Sequence, residues 1–480
     1  MSVLHESRLV MKFGGTSVGD PQAIDQAAQI VQEQAAAWRQ VVVVVSAMSG
    51  VTDLLIRGAT TAAAGDEHTF LQIAAQLSEK HNAVVEELLG KSPERVNALD
   101  MIERHLAEFQ ILCHSVCVLG ELTPRALDAI TSLGERINAR LFSAVLRQRG
   151  LDSQPLDASE VIVTDYTYQH ANPQPAASRQ KAETHLTPLL EAGCMPVVTG
   201  FIGATPEGVT TTLGRGGSDY SAAILGDILD ATQVWIWTDV DGVMSADPRI
   251  AHNAQVIPVL SYSEVGELAY FGAKVLHPRT IRPVIERGIP LWVKNTFNPV
   301  FPGTLIERQA KEIHGTVKAV TAIKGLSMIT VEGRGMMGVP GIAARTFGAV
   351  ASQGASVLMI SQASSEQSIC FIVPAETTQP VIHAIEREMA AELARQDIDR
   401  VWAMENVVIV TAVGAGMRGT PGVAARLFGA LAQEQINIIA IAQGASECSV
   451  SLVVDGADAA NAVRQIHDRV IMNNRQEGPA

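Results

Sequence analysis

Short apolar runs alternate along this chain with longer segments whose apolar residues recur every three or four positions. Residues 9–13 are apolar, Gly14-Gly15 interrupts them, and 23–38 follows with helical spacing. Residues 41–45 are five consecutive valines, the pattern of a strand covered on both faces of a parallel sheet. Between 61 and 150, Glu, Leu and Ala recur at helical spacing, which predicts a helical insertion. Strand-like runs return at 161–164, 196–202 and 233–238, each bounded by Gly, Pro or Asp. This alternation predicts an α/β domain over 1–308 with a doubly wound, mainly parallel sheet. Residues 309–325, mixed polar with Gly315, read as a linker.

The remainder is an internal repeat. GRGMMGVPGIAARTFGAV at 333–350 aligns with GAGMRGTPGVAARLFGAL at 414–431, a shift of 414 − 333 = 81 residues with 12 of 18 positions identical. SQASSEQSICFIV at 361–373 likewise matches AQGASECSVSLVV at 442–454. Each copy reads strand, glycine loop, helix, strand, tight turn, strand, helix. Two small α/β units, 326–405 and 406–480, are therefore expected to pack together, since either alone leaves apolar surface open. The C-terminal part is free to pack back into the first.

Composition narrows the possible functions. The 480 residues are 47% hydrophobic but only 4% aromatic, so the cores must be built mainly from Ala, Val, Ile and Leu. A net charge of −14 and a pI near 5.4 argue against a nucleic-acid partner, which needs a dense positive surface. Five cysteines make no disulfide framework. Cys113, His114 and Cys117 have no second ligand pair nearby, so no metal site is expected. No apolar run approaches the ~20 residues that span a bilayer. These features predict a cytoplasmic protein.

Three glycine patterns bear on nucleotide binding. Gly90-Lys91-Ser92 resembles the end of a phosphate-binding loop, but Val85 stands where its first glycine belongs. G-x-G-x-x-G occurs twice, at Gly333, Gly335, Gly338 and at Gly414, Gly416, Gly419. The ribose-binding acid is missing downstream of the first copy, and the second has only Glu434, short of the required spacing. A helix-opening loop binds a carboxylate equally well, so these loops read as amino-acid effector pockets. The third pattern is scattered: KFGGTS at 12–17, SAMSGVT at 46–52, TLGRGGSD at 212–219 and WTDVDGV at 237–243. Each follows a predicted strand, where open α/β sheets collect ligands. Gly14, Gly15, Gly216 and Gly217 let backbone amides approach phosphate, while Lys12 and Arg215 supply cationic partners. Asp219 and Asp239 are placed to orient a metal or a ribose.

In this order the segments resemble the aspartate kinase branch of the amino-acid kinase family. The match covers nearly the whole chain, including GER at 134–136, GFIG at 200–203, TLGRGGSDYSA at 212–222, WTDVDGV…DPR at 237–249 and FGAKVLHPRT at 271–280. The repeats resemble tandem ACT domains (βαββαβ). KNTFNP at 294–299 and the ISQASSE and IAQGASE segments look closest to the kinase half of bifunctional aspartate kinase–homoserine dehydrogenases. Since the chain stops just after the second repeat, a monofunctional protein of that lineage is expected.

The resemblance implies ATP + L-aspartate → ADP + 4-phospho-L-aspartate, the first step toward lysine, threonine and methionine, with Mg2+ between phosphate oxygens. It implies that Lys12 stabilises the transferring phosphoryl group and that Asp219 orients it. Arg215 would hold the substrate α-carboxylate and Glu135 its ammonium, with Ser46, Thr52, Phe201 and Ser218 completing the pocket. On the nucleotide side it implies Thr238, Asp239, Arg249 and Lys274. Met244 stands where many relatives have Tyr, which leaves an apolar wall without a hydroxyl. His277 reads as a packing or hinge residue. Gln362 and Gln443, one repeat apart, are the implied effector contacts, with threonine as effector and lysine as the alternative. A homodimer or homotetramer joined through ACT domains is implied. Another kinase of this fold, or a non-catalytic amino-acid sensor, are the rival readings.

Overall fold

The computed structural model describes residues 7–272, 276, 278–308, 316–362, 367–444 and 446–473. By packing, the described residues of Met1–Val243, Pro258–Tyr262 and Val275–Ala310 form one unit. Those of Met244–Ile257, Ser263–Lys274 and Lys311–Ala480 form the other. Two stretches from the predicted catalytic domain thus pack with the repeats.

The first unit is built on an eight-stranded sheet. Its strands are β1 (Arg8–Phe13), β2 (Gln40–Val45), β3 (Ser153–Leu156), β4 (Met195–Thr199), β7 (Gln233–Thr238), β8 (Val259–Ser261), β9 (Leu291–Asn295) and β10 (Thr304–Glu307). A small hairpin of β5 (Ile202–Ala204) and β6 (Thr210–Thr212) stands apart. The order is β3-β4-β2-β1-β7-β9-β10-β8, parallel except between β9 and β10. All five valines of β2 are buried, as their run predicts. From β1 the chain runs outward on one side through β2, and it returns only after β4 to lay β7 on the other side of β1. The crevice beyond β1 is therefore the switch point at which such sheets bind ligands.

The predicted insertion is helical: Glu67–Val84, Pro93–Leu119 and Pro124–Gln148. Thr123 opens the last of these by accepting from Ala126 N–H, and Pro124 occupies the first turn, where no N–H is needed. This helix lies in the main apolar core and packs against β2, β3 and β4. One predicted strand is corrected. Residues 161–164 make only isolated bridges at Val163 and Thr164, and the sheet's edge is β3 instead. Apolar character shows that this segment is buried without showing what pairs with it.

The second unit has a six-stranded antiparallel sheet of β11 (Ala319–Glu332), β12 (Met359–Gln362), β13 (Ser368–Pro374), β14 (Arg400–Val413), β15 (Ala440–Gln443) and β16 (Ser449–Asp455). Its order is β12-β13-β11-β14-β16-β15. Residues 319–325, read as linker, are in strand, which corrects that boundary. Ala319–Ile323 pairs with the end of β14 and Met328–Glu332 with its start, with register shifts between. Each repeat therefore borrows half a strand from the other. Gly325 (φ +74°) and Asn406 (φ +54°), 406 − 325 = 81 residues apart, make the same left-handed break in the two strands. Separate helical cores cover the two repeats, and the second also contains Ala246 and Ala251.

Candidate active site

The C-terminal ends of β1, β2, β4 and β7 surround a cleft of about 670 Å³. Lys12 enters it from β1 with only 8% of its surface exposed. The turn that follows is set by Gly14, whose N–H donates to the Trp237 carbonyl at 3.1 Å. A Cβ on Gly14 would lie 3.3 Å from Lys12 Nζ and one on Gly15 3.3 Å from the Ala47 carbonyl, so a side chain at either position would crowd its neighbour. Ser46 N–H donates to the Phe13 carbonyl, and the loop beyond leads to Gly50 and the helix Val51–Ala63, with Thr52 in its first turn.

A second glycine turn faces the first. Gly216 (φ +71°) opens the helix Gly217–Ile228 with no side-chain cap; Gly217 N–H donates to the Gly214 carbonyl at 2.9 Å, which leaves the Ser218 amide to meet an anion. Ser218 and Asp219 lie in that first turn, and Asp219 Oδ1 sits 2.5 Å from Lys12 Nζ. Phe201 adopts φ +66°, held by its N–H donating to Ser221 Oγ at 2.9 Å. Its ring lies where a Cβ on Gly217 would come within 2.6 Å. Arg215 is exposed at the cleft and makes no hydrogen bond or ion pair among the described residues.

Glu135 projects into the same cleft from the long helix Pro124–Gln148. Gly134 lets the helix approach closely, since a Cβ there would lie 2.9 Å from that of Ala47. Glu135 is 3% exposed, and its Oε2 has no hydrogen-bond partner. Burial pushes its pKa up to about 8, opposed by backbone hydrogen bonding at Ala47. A buried carboxyl oxygen left without a donor, in one cleft with a lysine and an arginine, suits a zwitterionic amino acid.

Of the residues singled out in the sequence, the cleft gathers Lys12, Gly14, Gly15, Ser46, Thr52 and Glu135, with Phe201, Arg215, Gly216, Gly217, Ser218, Asp219 and Thr238. It does not include Asp239, Met244 or Arg249. Asp239 accepts from Thr238 Oγ1 at 3.1 Å. Met244 bridges to Val256, and Arg249 pairs with Asp247 with 81% of its side chain exposed. Lys274 and His277 lie outside the described residues. Gln362 and Gln443 are exposed at the ends of β12 and β15, two edge strands that approach one another. No group of three or more His, Cys, Asp or Glu suited to a metal occurs among the described residues. No described helix is long and apolar enough to cross a membrane.

Sequence reasoning missed Asp128, Gln169 and His170, which also line the cleft. Asp128 was accessible in principle, because it precedes Glu135 by two helical turns and shares its face.

Comparison with known proteins agrees with this geometry. Residues 7–295 match the amino acid kinase family, and residues 329–389 and 410–470 match the ACT domain. Bifunctional aspartokinase/homoserine dehydrogenase 1 of Arabidopsis thaliana is 40% identical over 475 residues, covering 98% of this chain and 51% of the relative. The chain thus spans about half the length of such bifunctional relatives. Lysine-sensitive aspartokinase 3 of Escherichia coli is 33% identical, covering 96% of this chain and 99% of the relative. The crystal structure of E. coli aspartokinase III in complex with aspartate and ADP superposes with a TM-score of 0.79 at 32% identity, covering 97% of this chain and 100% of that one.

Proposed function

Because this chain belongs to the amino acid kinase family and matches an aspartokinase along almost its whole length, we propose that it transfers the γ-phosphoryl group of ATP to the side-chain carboxylate of L-aspartate. The observation that carries this reading is the buried Glu135 carboxyl, its Oε2 without a partner, in one cleft with Arg215 and the Lys12–Asp219 pair. Glu135 takes the substrate ammonium, and Arg215 takes the α-carboxylate through its planar fork. The side-chain carboxylate is ionised at neutral pH and needs no general base. The work is to align it with the phosphate and offset the crowding of negative charge. Lys12, held by Asp219, supplies that charge between the reactants, and the amides at Gly216 and Ser218 receive anionic oxygens. Thr238 serves the nucleotide side. Magnesium enters with the triphosphate as part of the substrate.

Purified protein with ATP, magnesium, hydroxylamine and aspartate should yield aspartyl hydroxamate, and glutamate should yield none. Lys12→Ala and Arg215→Ala proteins that stay folded and turn over aspartate at the parent rate would defeat the reading.

The repeats support regulation by an amino acid, with threonine the first candidate and lysine the second. The supporting feature is the pair of exposed equivalents Gln362 and Gln443 at strand ends. One relative is described as lysine-sensitive. Rate titrations with each amino acid decide between them, and absence of any response removes the sensing function. Light scattering with and without effector tests for the dimer or tetramer.

A further inference from the structure

The geometry points to Asp128 as the positioning residue that holds the ammonium and α-carboxylate sites in one frame relative to Lys12, and so sets how long a side chain brings its carboxylate to the phosphoryl group. This rests on the aspartate-kinase reading of the same cleft. Asp128 is 1% exposed on the helix that carries Glu135, seven residues and about 10 Å earlier along its axis. Its Oδ1 accepts from Thr212 Oγ1 at 2.7 Å. Its Oδ2 accepts from Thr212 N–H at 3.1 Å and from Gln169 N–H at 3.0 Å. Both carboxylate oxygens are thereby committed to two other chain segments.

Those segments define the far side of the pocket. Thr212 ends β6 and is the stem of the turn Gly214-Arg215-Gly216, so clamping it fixes where the Arg215 loop leaves the hairpin. Gln169 sits at φ +67°, a left-handed conformation that a side chain disfavours and that the Asp128 bond helps to hold. The next residue, His170, lies against Gly214 so closely that a Cβ there would come within 2.5 Å of Nδ1. Ala171 N–H closes the arrangement by donating to the Thr212 carbonyl at 3.0 Å. One buried carboxylate thus ties the Glu135 helix, the Arg215 turn and the His170 loop into a rigid frame. It needs no contact with the transferred group to act.

The test compares steady-state kinetics of the full chain with Asp128→Ala, Asp128→Asn and Thr212→Val, using aspartate and glutamate as acceptors. Asparagine has one acceptor oxygen where aspartate has two, so it keeps the shape and loses part of the clamp. The expected result is a rise of tenfold or more in KM for aspartate in Asp128→Ala, with KM for ATP within twofold. Turnover of glutamate, expected to be nil in the parent, should become measurable. Asp128→Asn and Thr212→Val should lie between it and the parent. A general structural defect would move both KM values together or track the folded fraction, and that overturns the assignment. So do unchanged aspartate KM and acceptor preference in folded Asp128→Ala, or in Asp128→Asn and Thr212→Val should the alanine variant not fold. A parent protein that phosphorylates aspartate while these variants behave normally removes Asp128 alone. A parent that fails to use aspartate removes the functional reading and this inference together.

Discussion

Among the described residues, two glutamates are no more than 3% exposed, one in each unit, and they have opposite surroundings. Glu135 in the first unit is 3% exposed with an oxygen that nothing among the described residues satisfies. Glu264 in the second unit is 0% exposed and well partnered. Its Oε2 lies 2.9 Å from Lys318 Nζ, and its Oε1 accepts Ala415 N–H at 2.7 Å in the glycine loop of the second repeat. A buried charge that the fold satisfies belongs to the architecture. One left unsatisfied beside a cavity is costly to the free protein and worth keeping only if a ligand completes it.

The repeats carry the same contrast on a smaller scale. The positions equivalent to Lys318 and Ala415 in the first repeat are Asp399 (318 + 81) and Arg334 (415 − 81). Arg334 has 88% of its side chain exposed and lies 3.8 Å from Asp399. The second repeat has a socket for Glu264 where the first presents a loose surface pair, so two similar sequences hold unlike environments.

The largest effect expected from this contrast is at Glu264. Glu264→Ala leaves Lys318 and the Ala415 amide without this partner and should destabilise the second unit by about 3–5 kcal/mol. Calorimetry resolving that unit's transition checks this, and a loss below about 1 kcal/mol would break the comparison.

Glu135 should respond in the opposite direction. Its folded pKa of about 8 lies above the ordinary glutamate value, so the folded ligand-free protein holds a proton that the unfolded chain releases. That contribution is complete below the unfolded pKa and is lost as pH rises through about 8. Glu135→Gln should therefore stabilise the ligand-free protein at pH 9 by about 2–4 kcal/mol relative to its effect at pH 5. Activity on aspartate should collapse in the same variant. Denaturation of both proteins at the two pH values tests the sign.

His81 sharpens the comparison, because it too is buried with an unsatisfied atom, Nε2, yet does not line the cleft. Burial lowers its pKa to about 4 although Nδ1 contacts the Leu77 carbonyl. The folded state therefore excludes a proton that the unfolded state takes up, and stability falls as pH drops below about 6.5. Between pH 7 and 5 this amounts to about 2 kcal/mol. The loss should disappear in His81→Leu, measured by urea midpoints, with aspartate KM unaltered.

The smallest effect is in substrate affinity. Aspartate binding requires ionised Glu135, so KM for aspartate should rise up to tenfold between pH 8 and pH 7, about 1.4 kcal/mol. KM for ATP should not follow. A flat aspartate profile across that range would mean the ammonium is held elsewhere.

Much of this was legible along the chain. The valine run of β2, the glycine turn after Lys12 and the 81-residue repeat are local patterns, and local patterns follow from backbone sterics and from which faces need cover. The resemblance to aspartate kinases implied one pocket for Lys12, Glu135, Arg215 and Asp219, and all four line the same cleft. Pairing partners are a different matter, because they depend on segments far apart in sequence. Residues 161–164 look like a strand and form only isolated bridges, while 319–325 look like a linker and complete a sheet. The stretch Met244–Ile257 follows a catalytic motif in sequence but packs with the repeats, where Ser245 Oγ meets buried His467 at 2.9 Å. Asp128 shows no motif at all, and its role exists only through Thr212 and Gln169, 84 and 41 residues away. The amino-acid sequence by itself determined most of the strands, turns and helices and which chemical groups are on hand. The tertiary structure alone decided which buried groups are satisfied, since hydrogen-bond partners and desolvation are properties of the packed chain rather than of any stretch of it.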